Sequence, residues 1–189
     1  MEALKKHASY AGAEGPVVLV IMDGVGIGKN VESDCVAQAK TPHLDWLKEH
    51  AAYTEIKAHG KAVGLPEDTD MGNSEVGHNA IGCGRVFAQG ASLIDDAIAS
   101  RALFEGAVWS ELVENAVAKG STLHFIGLLS DGKVHSNINH LEAMLREAKA
   151  RGVKRVRLHA LTDGRDVPPI SALEYVERIE ALLREVSVE

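Results

Sequence analysis

The hydrophobic positions follow two different rhythms along the chain. Residues 17–22 (Val-Val-Leu-Val-Ile-Met) are continuously apolar and mostly β-branched, which predicts a strand buried on both faces. A second strand is predicted over residues 53–58. Between them a helix opens at Pro42, with Thr41 as its N-cap and Leu44, Leu47 and Trp46 turned inward. From residue 91 the rhythm becomes a regular alternation. Helices are predicted over residues 92–100 and 107–119, the second presenting Trp109, Leu112, Val113, Ala116 and Val117 on one side and stopped by Gly120. A strand follows over 123–129, and then an amphipathic helix over 138–151, ended by Gly152. After a strand over 156–161, Pro169 and Ser171 introduce a last helix over 172–186, whose stripe is Leu173, Val176, Ile179, Leu182 and Leu183. Strand, helix, strand, helix implies a parallel sheet with right-handed crossovers, so the fold class is α/β. Residues 1–14 are polar and Ala-rich and read as a loose arm.

Composition narrows the class. The chain has 189 residues, enough for one large domain or two small ones. Of these, 46% are hydrophobic but only 4% aromatic, so aliphatic side chains must build the core. A formal charge of -7 argues against non-specific nucleic-acid binding, yet leaves room for a local basic pocket that meets an anionic substrate. Cys35 and Cys83 lack metal-like spacing, and nothing marks the chain as secreted, so no structural disulfide is expected. No apolar run follows the early lysines and no window approaches the ~18 apolar residues of a membrane span. Neither a signal peptide nor a membrane segment is expected, and the cytoplasm is the expected location.

The candidate chemistry lies at loop positions. In Met71-Gly72-Asn73-Ser74-Glu75-Val76-Gly77-His78-Asn79, a polar approach loop runs into a short helix-like segment. Unpaired backbone N–H groups and the positive end of a helix dipole would favour a phosphoryl group on the Ser74 oxygen. Ser74 thus reads either as a nucleophile or as a plain helix cap. Asp23 ends the first apolar run and is followed by Gly24. The glycines of residues 24–28 do not have dinucleotide-binding spacing, so what remains is a carboxylate at a strand end, either a hard-metal ligand or a turn residue. Two later strands also end in Asp-Gly, as Ser130-Asp131-Gly132-Lys133-Val134-His135-Ser136 and Thr162-Asp163-Gly164-Arg165-Asp166. If these strands are parallel neighbours, His135 and Arg165 converge on one edge with Lys133 nearby. Arg165 suits a phosphate or carboxylate, His135 a phosphate or a proton, and Asp166 a hydroxyl proton. The Asp95-Asp96 pair reads as a solvated face, and His78, His140 and His159 read as structural or surface residues.

The run Asp70-Met71-Gly72-Asn73-Ser74-Glu75-Val76-Gly77-His78 resembles the phosphoserine motif of the cofactor-independent (2,3-bisphosphoglycerate-independent) phosphoglycerate mutases, members of the alkaline-phosphatase superfamily. Asp23-Gly24 and the two later Asp-Gly loops are similar to segments of the same family. The resemblance implies that Ser74 carries the phosphoryl group and touches a metal, and that Asp23 binds manganese. It further implies that His135, Arg165 and Asp166 contact the phosphoglycerate. Two divalent metal ions, manganese in this reading, would serve the reaction, with no bisphosphoglycerate cofactor. The implied reaction interconverts 3-phosphoglycerate and 2-phosphoglycerate in glycolysis and gluconeogenesis through a phosphoserine. The implied architecture is an incomplete alkaline-phosphatase-like, metal-binding domain over residues 1–88, followed over 89–189 by part of an inserted α/β substrate-binding domain with parallel strands.

The enzymes of this family are much longer, and their remaining metal ligands and several substrate arginines come after the matching part. Asp23 and Ser74 cannot complete a two-metal site. Activity of the 189 residues alone therefore stays open. The competing readings are a non-catalytic anion- or partner-binding fragment, or another metal-dependent phosphatase or phosphomutase of the superfamily. Residues 17–22 are expected to leave apolar surface for a missing C-terminal half or for self-association.

Overall fold

The computed structural model describes residues 4–186 and divides the chain into two compact units, Met1–Thr54 and Glu55–Glu189. In the first unit a single 3-10 turn, Val31–Ser33, precedes helices α1 (Cys35–Gln38) and α2 (Pro42–His50). Asp34 caps α1, one carboxylate oxygen accepting the Val36 and Ala37 N–H groups at 3.0 Å each while the other accepts from Gly28 at 3.0 Å.

Two strand expectations fail, one in this unit and one where the second begins, for one physical reason. Residues 17–22 join no ladder, and all are exposed, from Ile21 at 43% to Val18 at 81%. Residues 53–58 also form no strand. A strand exists only where another strand takes up its N–H and C=O groups, and among the described residues neither run has such a neighbour. The exposed apolar surface expected around residues 17–22 is therefore present. Helix α2 starts at Pro42 as read, but Thr41 Oγ1 donates to Asp45 Oδ1 at 3.1 Å instead of capping a backbone N–H. Leu44, Leu47 and Trp46 are exposed rather than inward, and Trp46 stacks on His50 with ring centroids 4.8 Å apart.

The second unit carries the core. Its elements are a 3-10 turn (Gly60–Val63), α3 (Ser74–Cys83), α4 (Gly90–Ala99), α5 (Ala102–Glu105), α6 (Ala107–Lys119), β1 (Thr122–Leu129), α7 (Ile138–Ala150), β2 (Arg155–Thr162) and α8 (Ala172–Val186). Strands β1 and β2 pair in parallel, in register from Thr122 opposite Arg155 to Leu129 opposite Thr162. The fold class is thus α/β with parallel strands, and each helix from α6 onward ends within a residue of where its pattern predicts. The buried set joins Trp109, Val113 and Ala116 of α6 to Ile138, Leu145 and Ala148 of α7, to Leu129 and Val156 of the strands, and to Ile179 and Leu182 of α8. The α6 stripe is narrower than read, because Leu112 and Val117 stay exposed. Glu147 on α7 holds Arg151 and Arg101 at 2.9 Å each, which ties the start of α5 to α7. Because β1 and β2 run parallel and in register, the loops after Leu129 and Thr162 leave from the same sheet edge, where open α/β sheets place their ligands.

Candidate functional site

Within the second unit, one cleft of about 610 Å³ is lined by residues 69–75, by the loop 131–135 after β1, and by Arg165 and Asp166 after β2. Each wall follows from local chemistry. Asn73, not Ser74, caps α3, its Oδ1 accepting the Val76 N–H at 2.9 Å. Ser74 is the first helical residue, so the capping bond is not its own, and its hydroxyl sits on the first turn of α3. Gly72 makes this approach possible, since a Cβ there would fall 1.9 Å from the Ala58 carbonyl oxygen.

His78, one turn along α3, belongs to this site although it reads as structural in the sequence; its i and i+4 spacing from Ser74 is the signal that finds it. Its Nδ1 lies 3.1 Å from Ser74 Oγ and 2.7 Å from the Ser74 carbonyl oxygen. One nitrogen cannot both donate to the carbonyl and accept from the hydroxyl. The shorter contact fits an Nδ1–H donating to the carbonyl, and in that tautomer His78 is no base toward Ser74.

The opposite wall is built by Asp163. It is buried, accepting from the Ser130 hydroxyl at 2.6 Å and from the Arg165 and Asp166 N–H groups at 2.9 and 3.1 Å. Burial alone would raise its carboxyl, but these hydrogen bonds together hold it below the ordinary value. The three Asp-Gly ends are therefore not alike. Asp163 folds its loop, Asp131 is exposed and accepts from the Tyr175 hydroxyl at 2.6 Å, and Asp23 lies in the first unit, in a turn and not at a strand end. The Asp-x-Arg spacing of an Asx turn is the signal that marks Asp163 as structural.

Stability linked to Asp163 has a definite sign. Its folded pKa is depressed, so its contribution is complete above about pH 4, the ordinary carboxylate value, and is lost as the pH falls through the lowered folded value. Denaturation of wild type and Asp163→Asn across pH 2 to 7, followed by circular dichroism, is expected to show a stability gap that closes below about pH 4. A pH-independent gap would mean that the charge is immaterial.

The two loops do meet as expected. His135 Nδ1 and Asp166 Oδ2 are 2.6 Å apart, with the imidazole 60% exposed and the carboxylate 6%. The approach is so close that a Cβ on Gly132 would lie 2.6 Å from the Asp166 Cβ. Asp166, read as a proton acceptor for a hydroxyl, instead holds His135 through Nδ1 and leaves the Nε2 of that ring for other partners. Arg165 is exposed, and its guanidinium has no partner among the described residues. Lys133 Nζ pairs with Asp70 Oδ1 at 3.3 Å across the cleft. Three other histidines are in contacts of their own. His140 pairs with Asp95 at 2.7 Å, so Asp95 is not simply solvated, and His159 meets His124 across the strands at 2.9 Å.

The donor set for a metal is not complete. Among the described residues no three His, Cys, Asp or Glu side chains gather into a possible metal site. Asp23 belongs to the first unit and Ser74 to the second. Together they are two oxygen donors, fewer than a hard divalent cation takes.

Comparison with known proteins bears on the same segments. The family described as "BPG-independent PGAM N-terminus" matches residues 94–189. The chain is 47% identical over 182 residues to the probable 2,3-bisphosphoglycerate-independent phosphoglycerate mutase of Leptospira interrogans, covering 95% of this chain and 33% of that protein. It is 52% identical over 168 residues to the 2,3-bisphosphoglycerate-independent phosphoglycerate mutase of Trypanosoma brucei brucei, covering 88% and 30%. Among solved structures, the Leishmania mexicana phosphoglycerate mutase at low cobalt concentration superimposes with a TM-score of 0.78 at 50% identity, over 88% of this chain and 30% of that one. The chain thus spans about a third of the length of the relatives it matches.

Proposed function

The chain belongs to the family of the BPG-independent phosphoglycerate mutase N-terminus, and from that premise we propose that it supplies the phosphoryl-carrying serine and part of the glycerate grip of such a mutase. The observation that carries the reading is the cleft with Ser74 at the first turn of α3 on one wall and His135, Arg165 and Asp166 on the other. In the proposed reaction Ser74 Oγ attacks the phosphorus of 3-phosphoglycerate. The bond from phosphorus to the glycerate oxygen breaks, and the proton that leaves Ser74 ends on that oxygen. The glycerate turns, its other hydroxyl attacks the phosphoserine, and Ser74 regains a proton as 2-phosphoglycerate forms. Arg165 grips an anionic group in a bidentate manner. Asp166 holds the His135 ring so that Nε2 can donate to, or take a proton from, a glycerate hydroxyl.

Two divalent metal ions, with manganese as the proposed metal and Asp23 and Ser74 among the ligands, would lower the pKa of the serine and neutralise phosphate charge. The cobalt named with the Leishmania enzyme's crystal structures supports a divalent-metal reading. Asp23 and Ser74 are two oxygen donors, and such a site takes further ones. The same reading assigns residues 1–88 to the metal-binding, phosphatase-like part and 89–189 to the substrate-binding part.

The test is a chimera in which this chain replaces the matching third of the Leptospira relative. Interconversion of the two phosphoglycerates, followed by phosphorus NMR without added bisphosphoglycerate, is the expected result. A folded chimera that binds phosphoglycerate without turnover would leave only an anion-binding fragment and overturn the reading.

A further inference from the structure

We propose that Lys133 is a substrate-binding residue of the cleft, its ammonium leaving Asp70 to grip one anionic group of the substrate while Arg165 grips the other. The inference rests on the phosphoglycerate reading of the cleft and adds to it a role for Lys133, which the resemblance does not assign. Phosphoglycerate carries a phosphate and a carboxylate at separate ends of a three-carbon chain. The cleft is lined by the acids Asp70, Glu75, Asp131 and Asp166, and its permanent cations are Lys133 and Arg165. These walls thus offer one cation for each anionic group of such a ligand.

The backbone makes Lys133 an unexpected choice. Its φ is 62°, in the left-handed region where glycine or asparagine sits more easily than lysine. A lysine in this backbone region is an outlier of the kind that gathers at functional sites. The turn is held without that side chain, because the Lys133 N–H donates to the Ser136 carbonyl at 3.0 Å. The partner is held independently as well. Asp70 Oδ2 accepts the Glu67 N–H at 2.8 Å, and the Asp70 carbonyl accepts from Gly60 at 3.0 Å. Both backbones can thus stay in place while the flexible lysine stem swings. The ion pair it would leave is 3.3 Å long with the lysine side chain 29% exposed, a weak, solvent-reached contact that a doubly charged phosphate can displace.

Calorimetric titration of 3-phosphoglycerate into this chain, with inorganic phosphate and glycerate as separate arms, tests the assignment. Lys133→Met is expected to weaken 3-phosphoglycerate binding by about tenfold, the size of one charge-assisted contact, and Lys133→Arg to restore most of it. Lys133→Gly keeps the turn, so it should lose affinity as Lys133→Met does with no fall in melting temperature. Asp70→Asn removes the competitor and should bind as tightly as wild type or more so. The proposal is overturned if Lys133→Met binds like wild type while Arg165→Met has lost binding, an outcome that leaves the phosphoglycerate reading standing. It is equally overturned if Asp70→Asn weakens binding as much as Lys133→Met, since the pair would then only brace the two loops. If wild type binds no 3-phosphoglycerate, the reading of the cleft and the role of Lys133 fall together.

Discussion

Ser74→Ala, placed in the chimeric mutase, is expected to lower turnover by about four orders of magnitude or more, the scale on which removal of a covalent nucleophile acts. The structure separates this outcome from that of a capping serine. Asn73 makes the capping bond to the Val76 N–H, and Ser74 is the residue after the cap. Alanine is well tolerated in a first turn, so the substitution should change unfolding free energy by no more than about 0.5 kcal/mol. A serine that served as the cap would show the reverse, a loss of about 1 kcal/mol with turnover preserved. The phosphorylated intermediate offers a second readout. Acid quenching during turnover should trap phosphate on Ser74 in the parent chimera and none in the variant, by mass spectrometry of the peptide spanning residues 71–79. Full turnover by the Ser74→Ala protein would remove the phosphoserine route altogether.

Leu145→Ala should produce the largest change in stability. Leu145 lies on α7 at 0% exposure among the buried side chains that α7 shares with α6, the strands and α8. Truncating a leucine in a closed core loses its transfer free energy and leaves a cavity, about 2–5 kcal/mol in sum. A small domain holds about 5–15 kcal/mol in total, so the unit would lose a large share of its stability. Leu173→Ala is the control. The same chemistry at 72% exposure on α8 should cost no more than about 0.5 kcal/mol. Urea denaturation followed by circular dichroism, with unchanged slope, reads both. Equal losses for the two leucines would mean that the core lies elsewhere than around α7.

The alternation after residue 91 was legible because each element there owes its form to its own residues. Helix α6 ends at Gly120, α7 is capped by Asn137, and the stripes of α7 and α8 meet the strands within the same stretch of chain. Residues 17–22 depart from their pattern for the opposite reason. A continuous apolar run states that burial is required, but not that a neighbour exists within the chain, and the ladder is a property of two strands. Leu44, Leu47 and Trp46 stay exposed in the same way, since a helix stripe turns inward only where something stands against it.

For the candidate site, the sequence by itself determined the residue types and their order. These are a serine within the Asp70–His78 run, and two loops that carry His135, Arg165 and Asp166. Local interactions made this possible, because caps, Asx turns and strand ends are set by residues a few positions apart. The tertiary structure alone decided which groups meet. It joined His135 to Asp166 and Lys133 to Asp70 across gaps of 31 and 63 positions, buried Asp163 as the brace of its loop, and freed Ser74 from capping. Such contacts depend on the parallel register of β1 and β2 and on backbone approach at Gly72 and Gly132, and no local pattern encodes a distance between segments so far apart in the chain.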